Sequence, residues 1–240
     1  GTILTSSDGA TWASRTSGTT SDLSGVAYAN GTFAATGYEA RVLTSRDGVN
    51  WTPITAAPTG LRRIASGKWI FVAVGSSGRI VTSPDGATWA ETRLVTSKHL
   101  YDVAFSGSTF LAVGYAGTIL ASADGVTWTA LTSGTETSCI LNGASADADT
   151  LVVAGTAGVI RTSPDGATWT DRRSGPTENL LDVTFANGLF VAVGHSGTIM
   201  TSPDGVTWTQ RESGTTSELR RVTFDGSAFV AAAETGPVRG

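Results

Sequence analysis

Short apolar-rich runs separated by turn-forming residues recur along the whole chain. In residues 180–194 the runs LLDVTF and LFVAVG flank Ala186-Asn187-Gly188. Asn-Gly between such runs is a strong hairpin signal, and runs dense in Val, Leu, Phe and Ala are typical of strands buried on both faces. Hairpins of this first kind are predicted at 23–37, 61–75, 100–114, 141–155, 180–194 and 219–233.

A second, more polar hairpin alternates with the first. It is exemplified by residues 197–202, the turn Pro203-Asp204-Gly205 and residues 206–211. Proline presets φ and glycine accepts a positive φ, so this sequence favours a tight turn. No segment has a sustained helical period, and the abundant Gly and Thr oppose helix. The pattern therefore predicts an all-β chain with four short strands in each period.

One phrase, Ser-x-Asp-Gly-x-Thr/Asn-Trp, marks the turn of the second hairpin six times. Its successive tryptophans lie 38 to 41 residues apart, which is the length of one four-stranded propeller blade. Six copies predict a six-bladed β-propeller of four-stranded antiparallel blades. The aspartate and tryptophan positions of the phrase are Asp8, Trp12, Asp47, Trp51, Asp85, Trp89, Asp124, Trp128, Asp165, Trp169, Asp204 and Trp208.

The order of the hairpins predicts how the propeller closes. The chain starts with a hairpin of the second kind and finishes with one of the first kind. Residues 1–15 are therefore expected to complete the blade that 219–240 begin, which closes a single domain over 1–240 and removes exposed sheet edges. Residues 236–240 align with 197–201 and with 1–5. One strand position is thus encoded twice, and the sequence leaves open which copy occupies it.

The repeated phrase resembles the Asp-box, or BNR repeat, of sialidase-like β-propellers, in a form shortened by one residue because Asp and Gly are adjacent. The resemblance implies a turn between the third and fourth strands of a blade, in which Asp accepts backbone N–H bonds and Trp packs into the blade. Calcium binding is the alternative role. Single carboxylates on different blades cannot together supply six oxygen ligands, so a structural role is favoured and no metal or cofactor is expected.

Composition and charge narrow the classes of partner. Charged residues are 15% of the chain, the net charge is −4 and only two of the 16 basic residues are lysine. No basic stripe for nucleic acid and no apolar run long enough for membrane insertion is present. Cys139 is the single cysteine, which excludes an internal disulfide and a cysteine-built zinc site. Low lysine and abundant Ser, Thr and Gly favour an extracytoplasmic protein, whether secreted, periplasmic or on the cell surface.

A sialidase-like activity would require an arginine triad, a tyrosine–carboxylate pair and an acid/base aspartate, as the resemblance implies. Arg62, Arg63, Arg220 and Arg221 follow the leucines that open their blades, and Tyr101 lies beside Asp102. The Phe/Tyr-Arg-Ile-Pro motif that carries a sialidase arginine is absent, and the loops between hairpins are short. We therefore expect no catalysis, and the charges to be solvated strand-end residues, some of them paired across blades.

The loops that join hairpins vary between copies, and this variation predicts a binding face. Aromatic groups beside polar ones suit a sugar or another small polar ligand, so a lectin-like role is the first prediction. The alternative is a protein-interaction or assembly scaffold, because the repeat also resembles that of photosystem-assembly factors; a degenerate glycosidase is the third. The candidate binding residues are Tyr38, Tyr115, His195 and Glu234 after the second strands, and Arg63, Asp102, Asp182 and Arg221 at the start of the first strands.

Overall fold

The computed structural model describes residues 1–6, 11–39, 41–135, 138–147, 149–172, 175, 177–224 and 226–234. In these residues the all-β prediction is confirmed, because regular structure consists of antiparallel strands and three short 3₁₀ turns. Consecutive strands pair in chain order, and we number the resulting sheets 1 to 7. Sheets 2 to 6 have four strands each, and sheets 1 and 7 have two described strands each.

The first three sheets contain ten described strands, because sheet 1 is a single hairpin and sheets 2 and 3 have four strands each. Their strands are, for sheet 1, β1 (Ile3–Thr5) and β2 (Ala13–Arg15); for sheet 2, β3 (Gly25–Ala29), β4 (Thr32–Thr36), β5 (Leu43–Ser45) and β6 (Thr52–Pro53); for sheet 3, β7 (Leu61–Gly67), β8 (Ile70–Gly75), β9 (Ile80–Ser83) and β10 (Ala90–Glu91). The predicted hairpins at 23–37 and 61–75 are thus present.

The remaining sheets repeat this arrangement. Their strands are, for sheet 4, β11 (Leu100–Phe105), β12 (Phe110–Gly114), β13 (Ile119–Ser122) and β14 (Thr129–Leu131); for sheet 5, β15 (Leu141–Ala146), β16 (Leu151–Gly155), β17 (Ile160–Ser163) and β18 (Thr170–Asp171); for sheet 6, β19 (Leu180–Ala186), β20 (Leu189–Gly194), β21 (Ile199–Ser202) and β22 (Thr209–Arg211); for sheet 7, β23 (Glu218–Phe224) and β24 (Phe229–Glu234). The four predicted hairpins of this half are confirmed.

The chain divides into two compact units. Unit 1 comprises 1–112 and 120–130, and unit 2 comprises 113–119 and 131–240. Unit 1 buries apolar side chains between neighbouring sheets, for example Leu61, Phe71 and Phe110. Unit 2 does the same with residues such as Phe190 and Leu219. The second strands of sheets 2 to 6 are buried almost throughout, as their unbroken apolar sequences predict, whereas Val230 in the second strand of sheet 7 is 52% exposed.

The Asn-Gly turns have the backbone that the sequence predicts. Asn187 and Gly188 have φ of 49° and 72°, and Asn30 and Gly31 have φ of 50° and 74°. Two consecutive positive φ values define the tight turn whose twist matches that of the flanking strands. Sheet 3 has the same turn geometry without glycine, because Lys68 and Trp69 have φ of 48° and 66°.

The G-x-x-G segment between the second and third strands forms a feature that the sequence did not predict. Three copies are 3₁₀ turns: Ser76–Gly78, Thr156–Gly158 and His195–Gly197. A Cβ on Gly194 would lie 2.0 Å from the Asn179 oxygen, and one on Gly197 would lie 1.9 Å from the Thr215 oxygen. Both glycines are needed because backbone from the preceding or following loop passes directly against them.

In four sheets the first strand carries a β-bulge near its start. In sheet 3, Leu61 pairs with Gly75 and Arg63 pairs with Val74, so that Arg62 is an extra, unpaired residue. The same shift occurs in sheets 5, 6 and 7. A bulge bends the strand and redirects the side chain of the extra residue.

Trp12 differs from the other tryptophans of the repeated phrase. Trp128, Trp169 and Trp208 are buried as expected, whereas Trp12 is 59% exposed. Trp12 precedes β2 in sheet 1, of which two strands are described, and the packing of Trp12 into a blade stays a prediction. Residues 236–240 and Asp8 lie outside the described residues, and the sharing of one blade by 1–15 and 219–240 stays a prediction.

Within the described part of the chain, no helix is long and apolar enough to cross a membrane.

Candidate binding site at the loop end of the sheets

The repeated Ser-x-Asp-Gly phrase forms a self-contained turn. Oδ1 of Asp124 accepts hydrogen bonds from the backbone N–H groups of Thr127 at 2.7 Å and Val126 at 2.8 Å. These bonds lower the pKa of Asp124 to about 2. The indole Nε1 of Trp128 donates to the Gly125 oxygen at 2.9 Å. The same bonds recur in the other described copies, with the aspartates Asp47, Asp85, Asp165 and Asp204.

The turn geometry gives these aspartates a structural role. Their hydrogen bonds hold the loop between the third and fourth strands, and the pKa of each carboxyl is lowered by backbone N–H donors. No group of three or more His, Cys, Asp or Glu side chains placed to hold a metal ion occurs in the described ranges.

We call the end at which the first strand of a sheet begins and its second strand ends the loop end. The predicted residues of this end in unit 1 include Arg63 and Asp102. Arg63 Nε lies 3.8 Å from Asp102 Oδ1, and Asp102 is buried. The charge pair therefore joins the first strands of sheets 3 and 4.

Asp182 has the equivalent place in unit 2. Its Oδ1 lies 3.2 Å from Arg221 Nη1, and its Oδ2 accepts a 2.9 Å hydrogen bond from the Val222 backbone. Asp102 and Asp182 were expected as solvated strand-end residues, and both are buried instead. The first strands of neighbouring sheets approach so closely that the side chains at this position lie between them: a Cβ on Gly143 would lie 2.9 Å from Asp182 Cα.

The other predicted residues of unit 2 are Tyr115, His195 and Glu234, and the first two contact neighbouring residues. Tyr115 is 43% exposed and forms an isolated β-bridge with Ile140. His195 Nε2 lies 3.6 Å from Glu218 Oε2. The other oxygen of the same carboxylate, Glu218 Oε1, lies 3.0 Å from Arg220 Nη2. Glu234 is the last residue of β24, and the structure describes its backbone only.

Unit 1 holds an aromatic–cation stack that the sequence did not predict. The Arg62 guanidinium lies between two tyrosine rings, with Cζ 5.0 Å from the ring centre of Tyr38 and 5.0 Å from that of Tyr101. Three sheets contribute to it, since Tyr38 follows β4, Arg62 lies in β7 and Tyr101 lies in β11. Such cation–π contacts hold a guanidinium in place without neutralising its charge.

Three buried polar atoms at the loop end of sheets 2 and 3 have no hydrogen-bond partner among the described residues. Arg62 Nε is buried and donates no hydrogen bond to a described residue, and Thr36 Oγ1 and Ser76 Oγ are also buried without a hydrogen-bond partner among the described residues. All three atoms belong to the loop end of sheets 2 and 3, because Thr36 ends β4 and Ser76 follows β8. Buried polar groups are nearly always satisfied, so unsatisfied ones mark a place for water or a ligand.

Tyr38 and Arg63 were both predicted as candidate binding residues, and the arginine that contacts Tyr38 is Arg62. It aligned Arg63 with the ring of variable residues, whereas the bulge makes Arg62 the residue that reaches the aromatic rings. A signal for the bulge was present: the buried residues Leu61 and Ile64 are three apart, which a regular strand with a period of two does not allow.

The arrangement is suited to binding an anionic group. Arg62 forms no ion pair with a described carboxylate, and its planar fork of donors matches a carboxylate. Tyr38 is 48% exposed and provides an aromatic surface beside this charge.

Comparison with known proteins supports the fold. Residues 64–187 match the family model described as the DUF6242 beta propeller domain. The structure of YCF48 from Cyanidioschyzon merolae resembles the chain with a TM-score of 0.74 and 20% identity, covering 96% of this chain and 85% of that one. No curated protein sequence matches the chain significantly.

Two further structures are similar. YCF48 bound to D1 peptide has a TM-score of 0.69 and 20% identity, and covers 90% of this chain and 76% of that one. The computationally designed Ika8 protein has a TM-score of 0.69 and 14% identity, and covers 88% of this chain and 68% of that one. At these identities the likeness is one of fold, which is the β-propeller.

Proposed function

The chain belongs to the DUF6242 β-propeller domain family, and from this premise we propose that it is a non-catalytic protein-interaction domain. Its ligand is a peptide segment of another protein that carries a carboxylate, bound at the loop end of sheets 2 to 4. The stack of Arg62 between Tyr38 and Tyr101 is the observation that carries this proposal. The structure of YCF48 with a D1 peptide supports the class of ligand, since it is a propeller of similar fold.

The chemistry of the stack favours a carboxylate over a neutral group. Arg62 is positioned by the two rings, and its Nε lacks a hydrogen-bond partner among the described residues. A carboxylate can accept two parallel N–H bonds from a guanidinium, and such charge-assisted bonds are about twice as strong as neutral ones. Because the rings already restrict the arginine, little side-chain entropy is lost when the ligand binds.

The buried carboxylates of the loop end support a non-catalytic role. Acid–base catalysis needs carboxyl groups that can reach a substrate. Asp102 and Asp182 are buried and each lies in an ion pair with an arginine of a neighbouring sheet. Their positions therefore suit a role in holding first strands together.

Glycan binding is the second candidate. The exposed rings of Tyr115 and Tyr38 favour it, because sugars stack on aromatic faces. One face of Tyr38 is occupied by Arg62, however, which leaves Tyr115 as the more accessible platform.

A peptide-display selection tests the proposal. Random twelve-residue peptides are selected on the purified protein, and the affinity of enriched peptides is measured by isothermal titration calorimetry. We expect enrichment of peptides with Asp, Glu or a free C-terminal carboxylate. Loss of a charge-assisted hydrogen bond costs about 1.5–3 kcal/mol, so Arg62→Gln should weaken binding by about tenfold or more.

Arg220→Gln provides a matched control. Arg220 is the extra residue of the equivalent bulge in sheet 7 but is paired with Glu218, so its replacement should leave the affinity unchanged. Equal affinities of the Arg62→Gln and native proteins for every enriched peptide would contradict the proposal. Saturable binding on a glycan array that disappears in Tyr115→Ala would favour the second candidate.

A further inference from the structure

The exposed tryptophan at the tip of the first hairpin of sheet 3 is unusual in the fold. Trp69 is the one tryptophan outside the repeated phrase, and it is 81% exposed. It follows Lys68 in the turn between β7 and β8, at the opposite end of β7 from Arg62. The seven residues of β7 place these two side chains about 20 Å apart.

Folding of the hairpin does not require this tryptophan. Trp69 has φ 66°, and the equivalent position in two other hairpins is Gly31, with φ 74°, or Gly188, with φ 72°. Glycine is the residue that this backbone conformation favours. The exposed Trp69 ring adds little apolar burial on folding and is accessible to a partner at the surface.

Hydrogen bonds from both neighbouring sheets hold the backbone under the ring. Asn30 Nδ2 donates to the Trp69 oxygen at 2.6 Å and to the Pro84 oxygen at 2.7 Å. Lys68 Nζ donates to the Ala123 oxygen at 2.7 Å. Trp69 is thus presented on a turn tied to sheets 2 and 4, and a partner that binds the ring meets a backbone that is already ordered.

The same bonds place two turns that each contain an aspartate beside the tryptophan turn. Asp85 directly follows Pro84, and Asp124 directly follows Ala123. Oδ1 of each carboxylate accepts the backbone hydrogen bonds of its own turn, and both aspartates are exposed. Lys68 donates to the neutral Ala123 carbonyl and keeps its positive charge, so that the two carboxylates outnumber one ammonium on this surface. The surface around the indole therefore combines an aromatic face with negative charge.

From this charge complementarity we propose that Trp69, Asp85 and Asp124 form a second docking surface, for a basic segment of a partner protein. A lysine or arginine side chain of the partner stacks on the indole, which is the best aromatic acceptor of a cation, while the carboxylates pair with it or with its neighbours. This surface differs from the loop end in both place and charge, because Arg62 there attracts an anionic group.

The test is a titration of the full chain with three probes: an acetylated and amidated tetra-arginine peptide, the matching tetra-glutamate peptide and the neutral oligosaccharide cellohexaose. Binding is measured by isothermal titration calorimetry at low and high salt, because Trp69→Gly removes the tryptophan whose fluorescence would otherwise report binding. We expect saturable binding of tetra-arginine, weakened by salt. Trp69→Gly should weaken it about fivefold, from the magnitude of one exposed cation–π contact.

Two further variants make the test specific. Asp85→Asn keeps an oxygen acceptor for its turn and should weaken tetra-arginine binding about twofold. Arg62→Gln should leave it unchanged, which separates this surface from the loop end. Trp69→Gly is expected to fold, because it gives the turn the residue found in two equivalent hairpins. Equal affinity of Trp69→Gly and the native protein, binding of cellohexaose through Trp69 in place of tetra-arginine, or no binding of any probe would overturn the proposal.

Discussion

Replacement of Asp182 by alanine is predicted to destabilise the junction between sheets 6 and 7. The carboxylate accepts a hydrogen bond from the buried Val222 N–H at 2.9 Å and pairs with Arg221 at 3.2 Å. An unsatisfied buried N–H costs about 1–3 kcal/mol. The Arg221 side chain is 40% exposed and can be solvated, so the ion pair contributes at most about 1 kcal/mol. We therefore expect a loss of about 2–3 kcal/mol in the free energy of unfolding.

This loss is large relative to the total stability of a domain, which is about 5–15 kcal/mol. With a urea m-value of about 2.5 kcal/mol/M, the unfolding midpoint should fall by about 1 M. Unfolding is followed by circular dichroism, and hydrogen exchange of the Val222 amide reports on the junction itself. That amide should exchange faster in Asp182→Ala, because its acceptor is gone.

Two control variants isolate the cause. Asp182→Asn keeps a carbonyl oxygen for the Val222 N–H and should lose only about 1 kcal/mol. Asp171→Ala removes a carboxylate that lies 3.8 Å from Arg161 and is 42% exposed, so it should lose less than about 1 kcal/mol. The reasoning is refuted if Asp182→Ala is as stable as the native protein, or if the Asn and Ala variants are equally destabilised.

Three further predictions concern the glycine segment, the repeated turn and closure. Gly197→Ala should lose about 3 kcal/mol in urea unfolding, because φ is 70° and the new Cβ would lie 1.9 Å from the Thr215 oxygen, and native-like stability would contradict this. The folded-state pKa of Asp124, about 2, is below its ordinary value of 3.8, so its stabilisation is present above pH 3.8 and is lost as the pH falls towards 2. The urea midpoint should fall in that range, and less steeply in Asp124→Asn; equal slopes would argue against it. Removal of 1–15 should reduce the cooperativity of unfolding if these residues complete the last blade, and an unchanged transition would exclude that role.

Most of the strand pattern could be predicted because local and long-range signals agree. The hairpin at 180–194 has an Asn-Gly turn, apolar strands on both sides and a regular place in the repeat, and its strands β19 and β20 fall within one residue of the predicted ends. The fourth strands were predicted less well. They are two or three residues long, since the tight turn before them and the loop after them use most of the available residues.

The candidate site could be predicted only in part, because a bulge changes which side chains meet. The alignment of the copies predicted Tyr38 and Arg63 as binding residues. A regular strand directs the adjacent residues Arg62 and Arg63 to opposite faces, but its period does not tell which of them contacts Tyr38. The bulge at Arg62 decides it. Contact between Tyr38, Arg62 and Tyr101 depends on three sheets together, and no local pattern in one copy contains that information.

The fate of the buried aspartates also depended on tertiary structure. At the start of a first strand, a charged residue predicts exposure, and Asp182 is buried instead. The close approach of the first strands, which Gly143 permits by having no side chain, explains the difference. The carboxylate is tolerated there because Arg221 and the Val222 N–H satisfy it.

The central claim, that Arg62 binds a carboxylate of a partner peptide, is tested most directly by the NMR signal of its own Nε–H group. The signal is assigned by its loss in Arg62→Gln, and an acidic peptide from the display selection is then titrated into the native protein. We predict a saturable shift of the Arg62 signal with the same midpoint as the calorimetric titration. Binding of the peptide with no shift of this signal would contradict the claim.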